Sequence, residues 1–155
     1  MPAQTLKNIL DQNKVRYVSI SHSPAYTAQE IAQSAAVRGK ELAKTVIVKL
    51  DGEMVMAVLP ASHRVDFGAL QKGLGAKSAE IASEDEFRER FANCEVGAMP
   101  PFGNLYGMKV YVSPALTEDE EIAFNAGSHT ELIRMAYLDY ERLVAPRVLE
   151  FSMQR

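Results

Sequence analysis

Apolar residues follow two spacings along the chain, one typical of helices and one typical of strands. They recur at helical spacing in residues 4 to 13, which predicts an opening helix. In residues 15 to 21 they alternate with polar residues, which predicts a strand. Thr27 and Glu30 then form a capping box, because the hydroxyl and the carboxylate satisfy free amides at a helix start. This second helix is predicted to end near Ala36.

Two apolar, β-branched runs follow, over residues 43 to 50 and 53 to 59. Asp51 and Gly52 join them, and this dipeptide tolerates the positive φ angles of a type I′ turn, so a β-hairpin is predicted. The remaining pattern predicts helices over 66–74, 83–91 and 137–143, and strands over 109–113, 121–125 and 130–136. Helices and strands intermix, so the class is α+β with a mixed, largely antiparallel sheet. No repeat or linker divides the chain, and residues 1–155 are interpreted as one domain.

Composition favours the cytoplasm. No apolar run reaches the roughly 18 to 20 residues that span a bilayer, and the opening residues lack the layout of a secretion signal. The single cysteine, Cys94, excludes an internal disulfide and suits a reducing compartment. Cys94 has no recognisable base partner, which favours a structural role over a nucleophilic one.

Charge is distributed unevenly along the chain. The formal net charge is −3, which argues against nonspecific coating of nucleic acid. Residues 38 to 77 contain seven Lys or Arg and four Asp or Glu, a local net of +3. Residues 80 to 131 contain three bases and eleven acids, a local net of −8. The basic stretch could contact a phosphate backbone, and a solvated surface of uneven charge is the alternative.

Residues 97 to 103 combine two glycines with two prolines, so they cannot continue a helix or a central strand. Glycine lets the main chain approach a ligand, and a stiff loop can direct backbone N–H groups at a developing oxyanion. An ordinary turn between a helix and a strand is the competing interpretation.

Lys44 and His129 are polar residues in otherwise structural segments. Lys44 lies at the entry of an apolar strand, where burial is costly without a partner, so a position at an edge or in a cleft is expected. Its ammonium suits a phosphate or an ester carbonyl, and a strand-end lysine that extends to solvent is the alternative. His129 follows Gly127 and Ser128 at a break between strands, where side chains often project into a cleft.

The sequence predicts neither a metal nor another cofactor. None of the histidines, His22, His63 and His129, has metal-ligand spacing with another His, a Cys or an acidic cluster. The sequence contains no nucleophile elbow, phosphate-binding loop or dinucleotide fingerprint. Hydrolysis by this chain would therefore depend on water, substrate groups and backbone electrostatics.

Several short segments occur in a recognisable order along nearly the whole chain. They are His22-Ser23-Pro24 with Thr27 and Glu30, Ala43-Lys44-Thr45, Ala57-Val58-Leu59-Pro60 with Arg64-Val65-Asp66, residues 97 to 102, and Phe124-Asn125-Ala126-Gly127. Each is weak alone, but their order and spacing together are specific. The chain thereby resembles the YbaK/prolyl-tRNA-synthetase-associated editing family. The resemblance implies a mixed sheet curled into a barrel-like core with flanking helices.

The resemblance also implies site residues. Lys44 matches the family's functional lysine, which helps to hold the 3′-terminal adenosine and its phosphates. Gly97 and Pro101 match the ends of the G-x-x-x-P loop that shapes the aminoacyl pocket. His129 falls where the alanine-editing and related subgroups carry a pocket histidine. These four are the predicted catalytic residues, and the predicted substrate-binding residues are His22, Thr27, Thr45, Ala98, Met99, Pro100, Gly127 and Ser128.

The function that the resemblance implies is hydrolysis of the ester of mischarged tRNA by a trans-acting deacylase. Ala61, Ser62 and His63 stand where many relatives have a Gly-Asp pair, which argues against the cysteine-editing branch. The His129 match instead favours editing of a small residue such as alanine or serine, on proline tRNA or a related tRNA. The expected partner is the aminoacylated acceptor end of tRNA, with a synthetase as a second candidate and neither membrane nor DNA. A non-catalytic module that senses an aminoacyl or nucleotide ligand is the alternative.

Overall fold

The computed structural model describes residues 2–21, 42–91, 94, 98–128 and 130–154. The α-helices in these ranges are α1 (Pro2–Gln12), α2 (Phe67–Leu74), α3 (Glu84–Phe87), α4 (Pro114–Thr117) and α5 (Tyr137–Val144). The strands are β1 (Tyr17–Ser21), β2 (Ala43–Leu50), β3 (Glu53–Pro60), β4 (His63–Val65), β5 (Ala79–Ile81), β6 (Val110–Val112), β7 (Glu121–Asn125), β8 (Glu131–Ala136), β9 (Arg147–Val148) and β10 (Ser152–Gln154). Short 3₁₀ helices span Arg88–Phe91 and Gly103–Leu105.

The described strands form three sheets. Five strands lie in the order β5-β2-β3-β6-β9, three lie in the order β1-β8-β7, and β10 pairs with β4. The β3–β6 and β6–β9 pairs are parallel, and the other pairs are antiparallel. A parallel bridge between Leu42 and Ala123 places the start of β2 beside β7. The α+β class and the mixed, largely antiparallel pairing are therefore confirmed, but the described strands do not close a barrel, because the short edge strands β5 and β9 do not pair with each other.

The β2–β3 hairpin lies at the centre of the largest sheet, and it forms as the sequence predicts. Asp51 and Gly52 both have positive φ, 50° and 88°, as the tight turn requires. Asp51 Oδ1 also accepts hydrogen bonds from the Lys77 and Ser78 amides, each at 2.9 Å. The turn is thereby tied to the segment that precedes β5.

Both faces of this hairpin are buried, which explains its continuous apolar sequence. Successive side chains of a strand point to opposite faces. Met56 and Val58 pack into the larger core cluster, which also contains residues of α1, β7, β8 and α5. Ala57 and Leu59 pack into a second cluster with α2. Burial of each large apolar side chain stabilises the folded state by about 1.5 to 3 kcal/mol. Because both of its faces are packed in this way, the hairpin is a rigid support for the residues at its ends.

Elements with strong local signals lie where they are predicted. α2 begins after its N-cap Asp66, and the Ser83 N–H donates to Glu86 Oε1 at 2.9 Å in the capping box that opens α3. The predicted helix to residue 91 changes to a 3₁₀ helix after Phe87. The predicted helix over 27 to 36 lies outside the described residues.

Two short strands that the pattern does not predict, β4 and β10, hold the end of the chain. Phe151 is fully buried just before β10. The Ser152 hydroxyl lies 2.9 Å from His63 Nδ1 and 2.8 Å from Ser113 Oγ. His63 therefore has a structural role, linking β4 to the C-terminal strand.

Candidate active site

Residues 98 to 102 form a buried loop rather than an exposed turn. Phe102 donates its N–H to Pro100 O at 2.8 Å, which closes a three-residue turn. Met99, which precedes this turn, is also buried. A backbone N–H of a stiff, buried loop can donate to a developing oxyanion, and Met99 is a candidate for this role.

Aromatic side chains from β7 and α5 support one side of this loop. The Phe102 ring lies with its centroid 5.6 Å from that of Phe124 and 5.4 Å from that of Tyr140. Tyr140 Oη donates to Pro101 O at 2.8 Å. Burial raises the pKa of Tyr140 well above its ordinary value, so the hydroxyl stays protonated and continues to donate across the working pH range. The position of the loop is therefore set by β7 and α5.

The turn between β7 and β8 holds the other side of the loop. The Gly127 N–H donates to Ala98 O at 2.9 Å. Gly127 has a φ of 96°, which lies in the left-handed region that glycine adopts at little cost. A side chain at this position would strain the turn and displace the hydrogen bond. The end of β7 and the loop thus form one connected unit.

Lys44 lies near the start of β2, between β3 and β7. It pairs with Leu59 of β3 on one side. On the other side, β5 pairs with only the last three residues of β2, so it does not reach Lys44. β7 lies beside this part of β2 instead, through the bridge between Leu42 and Ala123. Lys44 is half-buried.

The same bridge aligns Lys44 with the loop. Because β2 and β7 run parallel here, Lys44 and Asn125 each lie two residues beyond the bridge and on the same face as the bridging residues. Gly127 is two residues further along, or about 7 Å at a strand rise of about 3.3 Å per residue. Since Gly127 bonds to Ala98, Lys44 and the loop lie at the same end of β7.

Thr45 faces the other side of β2. It alternates with Lys44 and therefore shares a face with Ala43 and Ile47. These two residues pack in the core cluster that contains Met99. Thr45 is half-buried on this face of the strand.

The structure brings together part of the predicted set. The residues that it groups at this end of β7 are Lys44, Thr45, Ala98, Met99, Pro100, Pro101 and Gly127. Ser128 is nearby, but its hydroxyl accepts from the Thr130 N–H at 3.3 Å and lies 3.1 Å from Thr130 Oγ1, so it is engaged within the turn. The remaining predicted residues, His22, Thr27, Gly97 and His129, lie outside the described residues.

Cys94 has the environment of a structural thiol. Its Sγ lies 3.4 Å from Tyr106 Oη. Burial raises the pKa of the Cys94 thiol, although the hydrogen bond with Tyr106 acts in the opposite direction. A thiol with a raised pKa is protonated at neutral pH and is a weak nucleophile, which supports the structural interpretation.

The described part of the chain has no group of three or more His, Cys, Asp or Glu side chains arranged to hold a metal ion. In the same ranges, the helices lack the combination of length and apolar character that crossing a membrane requires. The chemical groups that the site offers are the Lys44 ammonium and the backbone amides of a rigid loop.

Sequence reasoning did not single out Asn125 or Tyr140 as candidate site residues. Asn125 interrupts the apolar pattern at the end of a predicted strand, which is a usable signal for a polar side chain at a site. Tyr140 carried no such signal, because an aromatic residue on a short helix is normally a core residue. Its hydrogen bond to Pro101 joins segments 39 residues apart in sequence and appears only in the folded chain.

Known proteins are similar to this chain over most of its length. Residues 22–143 match the family model described as the aminoacyl-tRNA editing domain. The chain is 30% identical over 156 residues to the multifunctional Ser/Thr-tRNA deacylase ProXp-y of Escherichia coli K12, covering 96% of this chain and 91% of that protein. It is 23% identical over 141 residues to the prolyl-tRNA editing protein ProX of Acetoanaerobium sticklandii, covering 87% and 85% of the two chains. A crystal structure described as a trans-editing enzyme for prolyl-tRNA synthetase matches with a TM-score of 0.84 at 19% identity, covering 98% of this chain and 97% of that one. The chain belongs to the aminoacyl-tRNA editing domain family.

Proposed function

We propose that the chain is a trans-acting aminoacyl-tRNA deacylase, an enzyme that hydrolyses the ester of mischarged tRNA. Its proposed substrate carries a small amino acid such as alanine or serine on proline tRNA or a related tRNA. Family membership supports the reaction class, and similarity over nearly the full length of a Ser/Thr-tRNA deacylase supports action in trans. The observation that carries the proposal is the alignment of Lys44 with the buried loop at one end of β7.

The proposed mechanism uses positioning and electrostatics. The Lys44 ammonium holds a phosphate of the terminal adenosine, while the loop places the ester carbonyl close to the Met99 N–H. A water molecule, assisted by the neighbouring ribose hydroxyl, attacks the carbonyl carbon. The oxyanion that forms accepts a hydrogen bond from the Met99 N–H. The ester C–O bond then breaks, the ribose oxygen takes up a proton, and the free amino acid leaves.

Selectivity comes from the shape of the pocket. One methylene of difference in an apolar pocket is worth only about 1 to 3 kcal/mol, so steric exclusion of a larger cognate residue is the more effective device. A pocket excludes by clash only if its wall cannot move. The hydrogen bonds to Pro101 and Ala98 hold the loop from two sides and supply that rigidity.

Exposed basic side chains elsewhere on the surface are candidate contacts for the tRNA body. Arg64, Lys72 and Lys77 are exposed, and within the described residues none of them forms a salt bridge. Lys49 is less available, because its Nζ lies 2.5 Å from Glu86 Oε2. A cleft of about 580 Å³ lined by the acidic residues 118 to 121 lies at the opposite end of β7, and it repels a polyanion.

Exchanging both Lys72 and Lys77 for alanine is expected to weaken tRNA binding and to make it less dependent on salt. Each lysine that contacts a phosphate releases about one counterion, so the slope of log K against log salt should fall by about two. Filter binding or calorimetry over a range of salt concentrations measures this slope. A matched double variant, Glu118→Gln with Glu120→Gln, should bind at least as well as the parent. An unchanged slope in the lysine variant would place the tRNA body elsewhere.

A deacylation panel tests the proposed function itself. Purified protein is assayed with alanyl-, cysteinyl-, seryl- and threonyl-tRNA, each prepared on proline tRNA and on the cognate tRNA. Hydrolysis of the alanyl or seryl ester on proline tRNA is expected, and prolyl-tRNA should be spared because its side chain does not fit.

Two other outcomes would each replace the proposal. Binding of aminoacyl-tRNA without turnover would identify a sensing module. Equal hydrolysis of alanine methyl ester and alanyl-tRNA would identify a hydrolase of small esters that ignores the acceptor stem.

A further inference from the structure

Asn125 lies at the end of β7, beside Lys44, and carries a buried side-chain oxygen. The Oδ1 atom is buried, and in the described part of the chain nothing donates to it. Buried acceptors in folded proteins almost always have a partner, and an unsatisfied one is costly to keep. A polar atom in this state beside a candidate active site indicates that a bound molecule supplies the donor.

The backbone around Asn125 is rigid, so the acceptor is held in a defined place. Asn125 pairs with Leu132 in the β7–β8 ladder. The residues that follow it include Gly127, whose N–H is bonded to the loop at Ala98. Side chains on strands are positioned more reproducibly than those on free loops, which suits a residue that recognises a ligand.

The substrate class limits the candidate donors. The ester carbonyl and the ester oxygen of an aminoacyl-tRNA are acceptors only. The α-ammonium is a donor that every standard aminoacyl group carries. It lies one carbon from the carbonyl that the loop is proposed to hold. A hydrogen bond from an ionised donor is about twice as strong as a neutral one, so the α-ammonium gains more from a buried oxygen than a ribose hydroxyl does.

The amide also suits its neighbour. Lys44 occupies the equivalent position on the adjacent strand, two residues beyond the same bridge. A carboxylate at residue 125 would attract the Lys44 ammonium and compete with phosphate for it. A neutral amide oxygen can accept from the substrate without drawing Lys44 away.

We propose that Asn125 Oδ1 accepts a hydrogen bond from the α-ammonium of the aminoacyl group and thereby helps to select charged tRNA. This inference rests on recognition of aminoacyl-tRNA, the substrate class of the proposed function. It assigns to Asn125 a specificity role that is separate from those of Lys44 and the loop.

The test uses two stable probes that differ only in the amino group. Proline tRNA ending in 3′-amino-3′-deoxyadenosine is acylated with an alanyl group or with a propionyl group, which lacks the amine. The amide linkage resists hydrolysis, so dissociation constants can be measured directly. The parent should bind the alanyl probe about 10- to 100-fold more tightly than the propionyl probe, the range expected of a hydrogen bond to a charged group.

The variants Asn125→Leu and Asn125→Ala should bind both probes with affinities within about threefold of each other. Leucine keeps the approximate shape of asparagine, and alanine leaves room in case leucine blocks the pocket. Asn104→Ala removes an exposed amide elsewhere and should retain the parent's preference. Thermal unfolding of the Asn125 variants should stay close to that of the parent, because Oδ1 accepts no hydrogen bond within the described structure.

Each other result overturns the inference. A parent without preference, or without detectable binding of either probe, would remove the role of the amine. Variants that keep the preference, or that weaken both probes equally, would reduce Asn125 to a structural residue. Deacylation of alanyl-tRNA is measured in parallel. A parent that prefers the alanyl probe but hydrolyses nothing would contradict the proposed function alone, and an active parent without preference would contradict the inference alone.

Discussion

Lys44→Ala is expected to lower kcat/KM for deacylation by about 100- to 1000-fold while the protein remains folded. Removal of one preorganised electrostatic contact at a reacting centre has an effect of this size. Lys44 is half-buried, so its truncation should change the unfolding temperature little. Steady-state kinetics on the best substrate of the panel, together with a thermal unfolding curve, measure both quantities.

Lys49→Ala is the matched control for this experiment. Lys49 lies on the same strand, but its ammonium is held by Glu86 and Glu80 at 2.5 and 3.6 Å. Because this ammonium is engaged by two carboxylates, its loss should leave kcat/KM within about twofold. The protein should also remain folded, since a surface ion pair contributes only about 0 to 1 kcal/mol to stability. If Lys44→Ala hydrolysed the ester at the parent's rate, the role given to Lys44 would be wrong. Equal losses in both variants would indicate a general effect of positive charge on tRNA binding.

Much of the fold can be predicted from local sequence because its central elements carry their own signals. The β2–β3 hairpin is specified by Asp51 and Gly52 together with two apolar runs, and α2 is delimited by its cap at Asp66. β4, β9 and β10 have no comparable signal, since each has only two or three residues and is held by a partner distant in sequence. Their existence depends on tertiary pairing, which a periodicity does not report.

The residues of the candidate site can also be predicted from the sequence only in part. Lys44 and the loop stand out in the sequence because a lysine at the entry of an apolar strand and a Gly/Pro-rich segment both break a pattern. Their proximity depends on the parallel bridge between Leu42 and Ala123, which joins segments about eighty residues apart. The supporting bonds from Tyr140 and Gly127 are likewise contacts of the folded chain. The sequence thus indicates which residues to examine, and the topology determines that they share one end of β7.

Phe102→Ala is expected to destabilise the protein by about 3 to 5 kcal/mol and to lower deacylation by about 100-fold in the molecules that remain folded. The Phe102 side chain is fully buried against Phe124 and Tyr140, so its truncation leaves a cavity directly beneath the loop. The loop can relax into this space, and a displacement of about 1 Å at a reacting centre is enough to cost about two orders of magnitude in rate. Chemical denaturation gives the stability, and kinetics at low temperature, corrected for the folded fraction, give the rate.

Phe151→Ala separates the two effects, because Phe151 is also fully buried but packs in the second core cluster, away from the loop. Its truncation should reduce the free energy of unfolding by a similar amount, about 3 to 5 kcal/mol, yet leave the activity of the folded fraction close to that of the parent. A loss of rate confined to Phe102→Ala would show that catalysis depends on the position of the loop, since both variants lose the same volume. Equal activity per folded molecule in the two variants would contradict a catalytic need for a rigid loop, and would leave Phe102 as a core residue like any other.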